Sequence, residues 1–344
     1  MMSVERLRLV TKVARLYYEQ GLRQPEIARE LCISQAMISR LLALAHKEGI
    51  VRTSVMAPLG VHGELEDELK ARFKLKDSIV ADCAGDSGDQ VLGALGNAAA
   101  TYLHATLRPN EVVGISFWSE TLLRTIDSMR PKTRPGGGHV VQISGGTGNP
   151  TAEAHAVHFT KKVASLLKAE PHFLSTPGVA ETPDSISSAY LRQPETEHTT
   201  SYFDRLTVAL VGIGTVRSAG LLGGRCNVFS GLELEEFEEL GAVGDVCLRF
   251  FDKRGRRVAS PLNDRPTGVT LDQLRQVPRT VGIAGGAAKL EAISGALEGG
   301  LINVLVTDRM TAERLVGDAS RSGEGSDGGL ETVTGFTSSL TSTR

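Results

Sequence analysis

Residues 22–50, LRQPEIARELCISQAMISRLLALAHKEGI, hold two short runs of helical apolar spacing only four residues apart, a connection so short that the helices must pack on each other. The first run opens on Gln24 and Pro25, the proline standing in the first turn where its missing N–H costs nothing. Ile27, Ala28 and Leu31 follow at helical spacing, and the small Ala28 permits close approach of the second helix. Leu31 to Ser34 form the turn, with Ile33 plugging the space between helices and Ser34 suited to cap the second one. That helix is predicted from Gln35 to about Lys47, with Ile38, Leu41, Leu42 and Ala45 inward.

The outer amino-terminal face of the second helix then carries Gln35, Ala36, Ser39 and Arg40. Together with Gln24 and Ser34, these are residue types that reach base edges and phosphates when a helix lies in a DNA major groove. Arg40 suits either guanine O6/N7 or a phosphate, and Gln35 suits adenine N6/N7. Charge agrees: residues 1–56 hold nine Lys/Arg against five Asp/Glu, a surplus of four, while the whole chain stands at −2. The first 56 residues are therefore read as a helix-turn-helix DNA-binding domain, preceded by an amphipathic helix from Leu7 to Gln20 and closed by a short strand from Val51 to Val55.

A chain of 344 residues leaves ample material for a second domain, placed here at residues 57–317. After a connecting or dimerising helix at Glu64 to Phe73, strand and helix patterns alternate. IVAD precedes a helix to Leu107, VVGIS a helix to Met129, and VVQIS a helix to Lys168. PHFLSTP, VALVGIG, DVCLRFF, TVGIAGG and INVLVTD continue the series, an alternation that predicts an α/β fold with a parallel sheet. Residues 318–344 contain 16 Gly, Ser or Thr in 27 positions and are expected to be disordered. The four cysteines, at 32, 83, 226 and 247, fall singly, and neither a signal peptide nor an apolar run of membrane length is present; a cytoplasmic protein with no membrane partner is expected.

In parallel sheets ligands bind beyond the carboxyl ends of the strands, so the residues after each strand carry the functional information. VVGIS leads into Phe117-Trp118-Ser119-Glu120-Thr121, a loop entering a helix with N–H groups and hydroxyls for an anion; Ser116 ends the strand. Trp118 is placed to stack on a sugar face or to anchor the loop. VVQIS leads into Gly145-Gly146-Thr147-Gly148-Asn149, whose glycines allow the backbone to curl round an oxyanion. VGIAGGAAK puts Lys289 in the first turn of a helix behind Gly285 and Gly286, and VALVGIG presents Gly212 and Gly214. A phosphorylated or polyhydroxylated small molecule is the expected ligand; no nucleotide fingerprint is present and no cofactor is expected.

From Leu7 to Leu315 the order of these segments resembles the SorC family of bacterial sugar-responsive transcriptional regulators. The pieces that carry the resemblance are QPEIARELCISQAMISRLLALAHKEGIV, NEVVGISFWSET, DRLTVALVGIG, GAVGDVCLRFFDKRG and VGIAGGAAKLEAISGALEGGLINVLVTD. The resemblance implies a winged-helix-like reader joined to an effector domain with the fold of sugar-phosphate isomerases. It further implies a homo-oligomer, dimer to tetramer, on paired half-sites of double-stranded operator DNA, and a sugar, sugar phosphate or polyol as effector. Ligand-contacting loops would match Ser116 to Thr121, Gly145 to Asn149 and Lys289, with Asp245 and Asp264 near the site. Some relatives bind a sugar aldehyde through a lysine before the Gly-Gly pair; Ser144 stands there, which speaks against a Schiff base.

Two other functions fit parts of the pattern. The same fold supports isomerases, for which Asp245, Asp264 or Glu120 would have to supply a base, although no Asp-His pairing at short spacing follows a strand. A DNA-binding scaffold without effector is the other alternative. His155 and His158 lie one helical turn apart without a third ligand and read as a solvated face, so no metal site is expected.

Overall fold

The computed structural model describes residues 3–52, 58, 60–83, 88–116, 119–133, 136–146, 150–180, 193–217 and 229–317. The chain divides into two compact units, Met1–Pro58 and Leu59–Arg344. The expected tail at 318–344 lies outside the described residues.

In the smaller unit three helices enclose one core: α1 (Val4–Tyr18), α2 (Gln24–Glu30) and α3 (Gln35–Lys47). The first starts and stops a few residues earlier than periodicity suggested, because the Ser3 hydroxyl accepts the Arg6 N–H and fixes its start. Val10, Val13, Ala14 and Leu16 meet Ile27 and the predicted α3 stripe of Ile38, Leu41, Leu42 and Ala45. At the head of α2 the Glu26 carboxylate accepts the Arg23 N–H at 2.8 Å, and at the head of α3 the Ser34 hydroxyl accepts the Met37 N–H at 3.2 Å. Cys32 takes φ 53° in the intervening turn, the left-handed conformation that glycine adopts most easily. Val51 and Arg52 carry no strand, and the rest of the strand expected at Val51–Val55 lies outside the described residues.

The larger unit is a doubly wound sheet. Its strands are β1 (Asp77–Ala81), β2 (Val112–Ile115), β3 (His139–Gln142), β4 (Glu170–His172) and β5 (Val208–Gly212), then β6 (Ala242–Val246), β7 (Arg249–Asp252), β8 (Arg279–Ile283) and β9 (Val304–Asp308). Seven of them form one parallel sheet in the order β1-β9-β8-β5-β2-β3-β4. The helices in chain order are α4 (Gly63–Phe73), α5 (Gly88–Thr106), α6 (Glu120–Ser128), α7 (Pro150–Leu167), α8 (Pro194–Thr200), α9 (Gly231–Glu239), α10 (Leu271–Gln276), α11 (Leu290–Glu298) and α12 (Arg309–Gly317). Leu95 and Leu103 of α5, Leu122 and Ile126 of α6 and Phe159 and Val163 of α7 cover one sheet face. Leu69 of α4, Leu274 of α10, Ile293 and Leu297 of α11 and Leu315 of α12 cover the other. Strands buried on both faces need apolar side chains in both directions, which is why VVGI of β2 is buried at all four positions.

Two expectations are corrected here. PHFLSTP contributes only Pro171 and His172 to the sheet, since β4 ends at His172. DVCLRFF is not a strand of the parallel sheet but a tight antiparallel hairpin, β6 and β7, in which Val246 pairs with Arg249. Both residues of its two-residue turn have positive φ, 54° at Cys247 and 64° at Leu248. Such turns ordinarily use Asn-Gly, so an apolar Cys-Leu pair hid the reversal. Phe250 of this hairpin stacks on Phe237 of α9 at 4.0 Å, and Phe229 meets both rings edge-on, forming a small aromatic core apart from the sheet. Among the described residues no helix is long and apolar enough to cross a membrane.

Candidate functional site

From β2 the chain winds outward to β3 and β4, whereas from β5 it winds the opposite way to β8 and β9. In open parallel sheets such a reversal of winding marks the ligand crevice, at the carboxyl ends of these two central strands. Ser116 follows β2 and is buried, with its N–H donated to Leu210 O of β5 at 3.1 Å. Ser119, also buried, caps α6 by accepting the Leu122 N–H at 3.4 Å. Gly212 ends β5 directly beside it: a Cβ there would lie 2.4 Å from the Ser119 side chain. Only glycine leaves room for Ser119 at that point.

The hairpin meets this crevice through Asp245, which exchanges both main-chain hydrogen bonds with Gly214 at 3.0 Å each. Its carboxylate accepts the Leu248 N–H at 3.0 Å, so the same residue holds the strained turn and faces the loop after β5. Burial raises the Asp245 carboxyl to about 6, against the Leu248 hydrogen bond and the positive charge of Lys289, which both favour the ionised form. Cys247 is buried in the turn and makes a side-chain hydrogen bond with Ser116; burial pushes its thiol up to about 12, leaving it a neutral packing group.

Lys289 enters from β8. After Ile283 the chain passes Gly285 and Gly286, the latter at φ 93°, and makes a 3-10 turn from Ala287 to Lys289 before α11 begins. Asp308, at the end of the neighbouring β9, holds this turn: its carboxylate accepts the N–H of Gly286 at 2.7 Å and of Thr311 at 2.9 Å, and the Thr311 hydroxyl at 2.7 Å. The Lys289 ammonium is half-buried, and desolvation lowers its pKa while Asp245 and Glu120 act in the opposite direction. Among the described residues it has neither an ion pair within 4.0 Å nor a hydrogen bond. A recessed cation with only distant counter-charges is suited to meet an anion.

Of the residues singled out from sequence, Ser116, Ser119, Gly212, Gly214, Asp245 and Lys289 thus converge on one crevice. Glu120 is exposed at the start of α6, and Thr121 is buried in its first turn. Trp118, Thr147 and Asn149 lie outside the described residues. The oxyanion curl expected at Gly145 and Gly146 has a different use there: their N–H groups go to Thr267 O at 3.5 Å and Thr176 O at 2.7 Å. The glycine at 145 is explained by crowding, since a Cβ there would lie 2.1 Å from the Thr267 hydroxyl.

Asp264 is a correction: it is exposed and its carboxylate is taken by Arg257, so it does not join the crevice. The preceding Asn263, which sequence reading passed over, is fully buried and holds the hairpin, accepting the Phe250 N–H at 3.0 Å and donating to Phe250 O and Val258 O at 2.8 and 3.0 Å. Asp308 was missed as well, although it ends the VTD strand just as the other candidates end theirs. In the smaller unit Ser34, Gln35, Ala36, Ser39 and Arg40 are exposed and Gln24 half-buried, with the Arg40 Nε bonded to Ala36 O at 3.3 Å.

Comparison with known proteins gives a consistent answer. The sugar-binding domain family model Sugar-bind matches residues 59–317. The sorbitol operon regulator of Klebsiella pneumoniae is 34% identical over 314 residues, covering 90% of this chain and 98% of that protein. The deoxyribonucleoside regulator of Bacillus subtilis is 33% identical over 322 residues, covering 92% and 100%. The crystal structure of the full-length sorbitol operon regulator SorC from Klebsiella pneumoniae superposes with a TM-score of 0.68 at 33% identity, again over 90% of this chain and 98% of that one.

Proposed function

Because the chain belongs to the SorC family of sugar-binding transcriptional regulators, we propose that it controls transcription by binding operator DNA under the command of a phosphorylated sugar held in the crevice of its larger unit. The observation that carries the choice of effector is Lys289, a half-buried ammonium without a direct partner among the described residues. An anionic group entering the crevice supplies that partner, while Asp245 and the Ser116 and Ser119 hydroxyls are suited to accept from or donate to sugar hydroxyls. Division of labour follows the two compact units: the helix-turn-helix, residues 1–56, reads DNA, and residues 57–317 bind effector and assemble the oligomer.

Binding without turnover is the reading the crevice supports. An isomerase needs a base in hydrogen-bonding reach of a substrate proton. Asp264 is committed to Arg257 on the surface and Glu120 is exposed at the start of α6, so of the three candidate bases only Asp245, which also holds the Leu248 N–H, faces the crevice. Paired half-sites require at least a dimer, and an effector that binds one subunit arrangement more tightly shifts operator affinity by about 5- to 150-fold for a coupling of about 1–3 kcal/mol.

The test is a thermal-shift screen of sugars, polyols and their phosphates, followed by operator binding with and without the strongest ligand, for the wild type and Lys289→Ala. A sugar phosphate should raise the melting temperature and change operator affinity in the wild type. Lys289→Ala should lose most of that response while binding effector-free operator normally. An equal response in both proteins would place the anion elsewhere, and a response only to uncharged sugars would refute the phosphorylated effector.

A further inference from the structure

A second cluster of chemistry-bearing side chains lies away from the crevice, at the amino end of β3 and along the edge strand β4. His139 opens β3 and is the register partner of Glu170, the first residue of β4; His172 ends the same strand two residues later. Paired residues share a face of a sheet, and so do residues two apart on one strand. The register alone therefore brings the three side chains to one side. The His139 Nδ1 is 2.9 Å from the His172 Nε2 and 3.6 Å from the Glu170 Oε2, and all three ligand atoms lie within 4.8 Å of one another.

We propose that His139, Glu170 and His172 bind a divalent transition metal ion of the zinc type. Two imidazole nitrogens and one carboxylate oxygen are a ligand set zinc uses where a fourth position is left to water. The His139 Nδ1 faces both the His172 nitrogen and the Glu170 oxygen, so the three atoms surround one point. Tetrahedral coordination at 2.0–2.1 Å places ligand atoms about 3.3 Å apart, so the His139–His172 spacing opens by roughly 0.4 Å, the His139–Glu170 spacing closes by roughly 0.3 Å, and the Glu170–His172 spacing, no more than 4.8 Å, adjusts through the exposed Glu170 side chain.

The surroundings orient the ligands. Tyr202 lies against the His172 ring at 4.3 Å, inclined by 32°, and against the His139 ring at 4.8 Å. His172 is almost fully buried, whereas Glu170 is exposed at the edge of the sheet and gives an ion a path in from solvent. His198 of α8 stands with its ring 5.4 Å from that of His172. The site is separate from the effector crevice, which lies at the carboxyl ends of the strands, and does not depend on its assignment.

The experiment is calorimetric titration of the full-length, chelator-stripped protein with zinc chloride alone, repeated with cobalt as an optical probe. One ion per chain should bind with a dissociation constant in the micromolar range or below. The spectrum should be that of nitrogen and oxygen ligands without thiolate absorption, and a hundredfold excess over Kd should raise the melting temperature by roughly 5 °C. His139→Gln, at a half-buried position, and Glu170→Gln, at an exposed one, should weaken binding at least tenfold, and a double His155→Gln, His158→Gln control should bind as the wild type does. Absence of saturable binding, a thiolate spectrum, or unchanged affinity in His139→Gln would each overturn the site. These two variants decide the matter even if the buried His172→Gln fails to fold.

Discussion

Replacing Asp245 with asparagine isolates the electrostatic cost built into the crevice. Burial raises the Asp245 carboxyl from 3.8 to about 6, so the folded chain holds its proton more tightly than the unfolded chain does. The stability contributed by that proton is fully present below about pH 4 and is lost as pH rises through about 6. A difference of roughly two pK units corresponds to about 3 kcal/mol at 1.36 kcal/mol per unit. Asparagine keeps an oxygen for the Leu248 N–H and removes the ionisation. Asp245→Asn should therefore gain on the wild type by about 2 kcal/mol between pH 4.5 and pH 7.5, a change of roughly 4–8 °C in melting-temperature difference for a domain of this size. The assay is thermal unfolding of the full chain from pH 4.5 to 8 without effector, followed by the fluorescence of Trp118, the single tryptophan, which belongs to the larger unit. Melting curves whose separation does not change across this range would refute the assignment of a buried, reluctantly ionised carboxylate to Asp245.

Three further outcomes are expected. Cys32→Gly relieves a left-handed side-chain residue in the helix-turn-helix and should stabilise the smaller unit by about 0.5–1 kcal/mol in urea unfolding, part of the relief being offset by the freer unfolded chain; destabilisation would contradict the strain. Arg40→Ala should weaken operator binding by about 1–3 kcal/mol with relaxed sequence preference if the guanidinium reads a base, or by less with a shallower salt dependence if it meets a phosphate; unchanged anisotropy titrations would remove it from the interface. Gly212→Ala drives a methyl group into Ser119 and should cost about 1–3 kcal/mol together with effector binding; a melting temperature within 1 °C of the wild type would show that the α6 cap yields freely.

The parallel sheet was legible in the sequence because its strands are buried on both faces and so appear as uninterrupted apolar runs. VVGI, VALVG and the Val304-Leu305-Val306 part of β9 stand out for that reason, and their alternation with helical spacing gave the architecture. The β6–β7 hairpin was not legible. Its turn uses Cys247 and Leu248 where the local code asks for Asn and Gly, and the cost of two side-chain residues at positive φ is met by tertiary contacts: the Asp245 carboxylate on the Leu248 N–H, and the Asn263 side chain on both main-chain groups of Phe250. Such compensation comes from residues distant in the chain and leaves no mark at the turn itself.

For the crevice, the rule that ligands gather at the carboxyl ends of parallel strands found Ser116, Ser119, Gly212, Gly214 and Lys289, since each directly follows or ends a strand or opens the next helix. What the rule could not supply was the neighbour of each strand. Asp308 holds Gly286 only because β9 lies beside β8, a fact of strand order rather than of either motif, so a residue that ends its strand as visibly as the others went unread. The same limit separates Asn263 from Asp264. Both sit in one short 3-10 turn, yet the side chain of Asn263 points into the protein and that of Asp264 meets Arg257 on the surface. Composition favours the charged residue as the functional one, but burial assigns the work to the amide, because this amide satisfies three main-chain groups at once without the desolvation cost of a carboxylate. Lys289 is the converse case, a half-buried charge that the described protein groups leave without a direct partner.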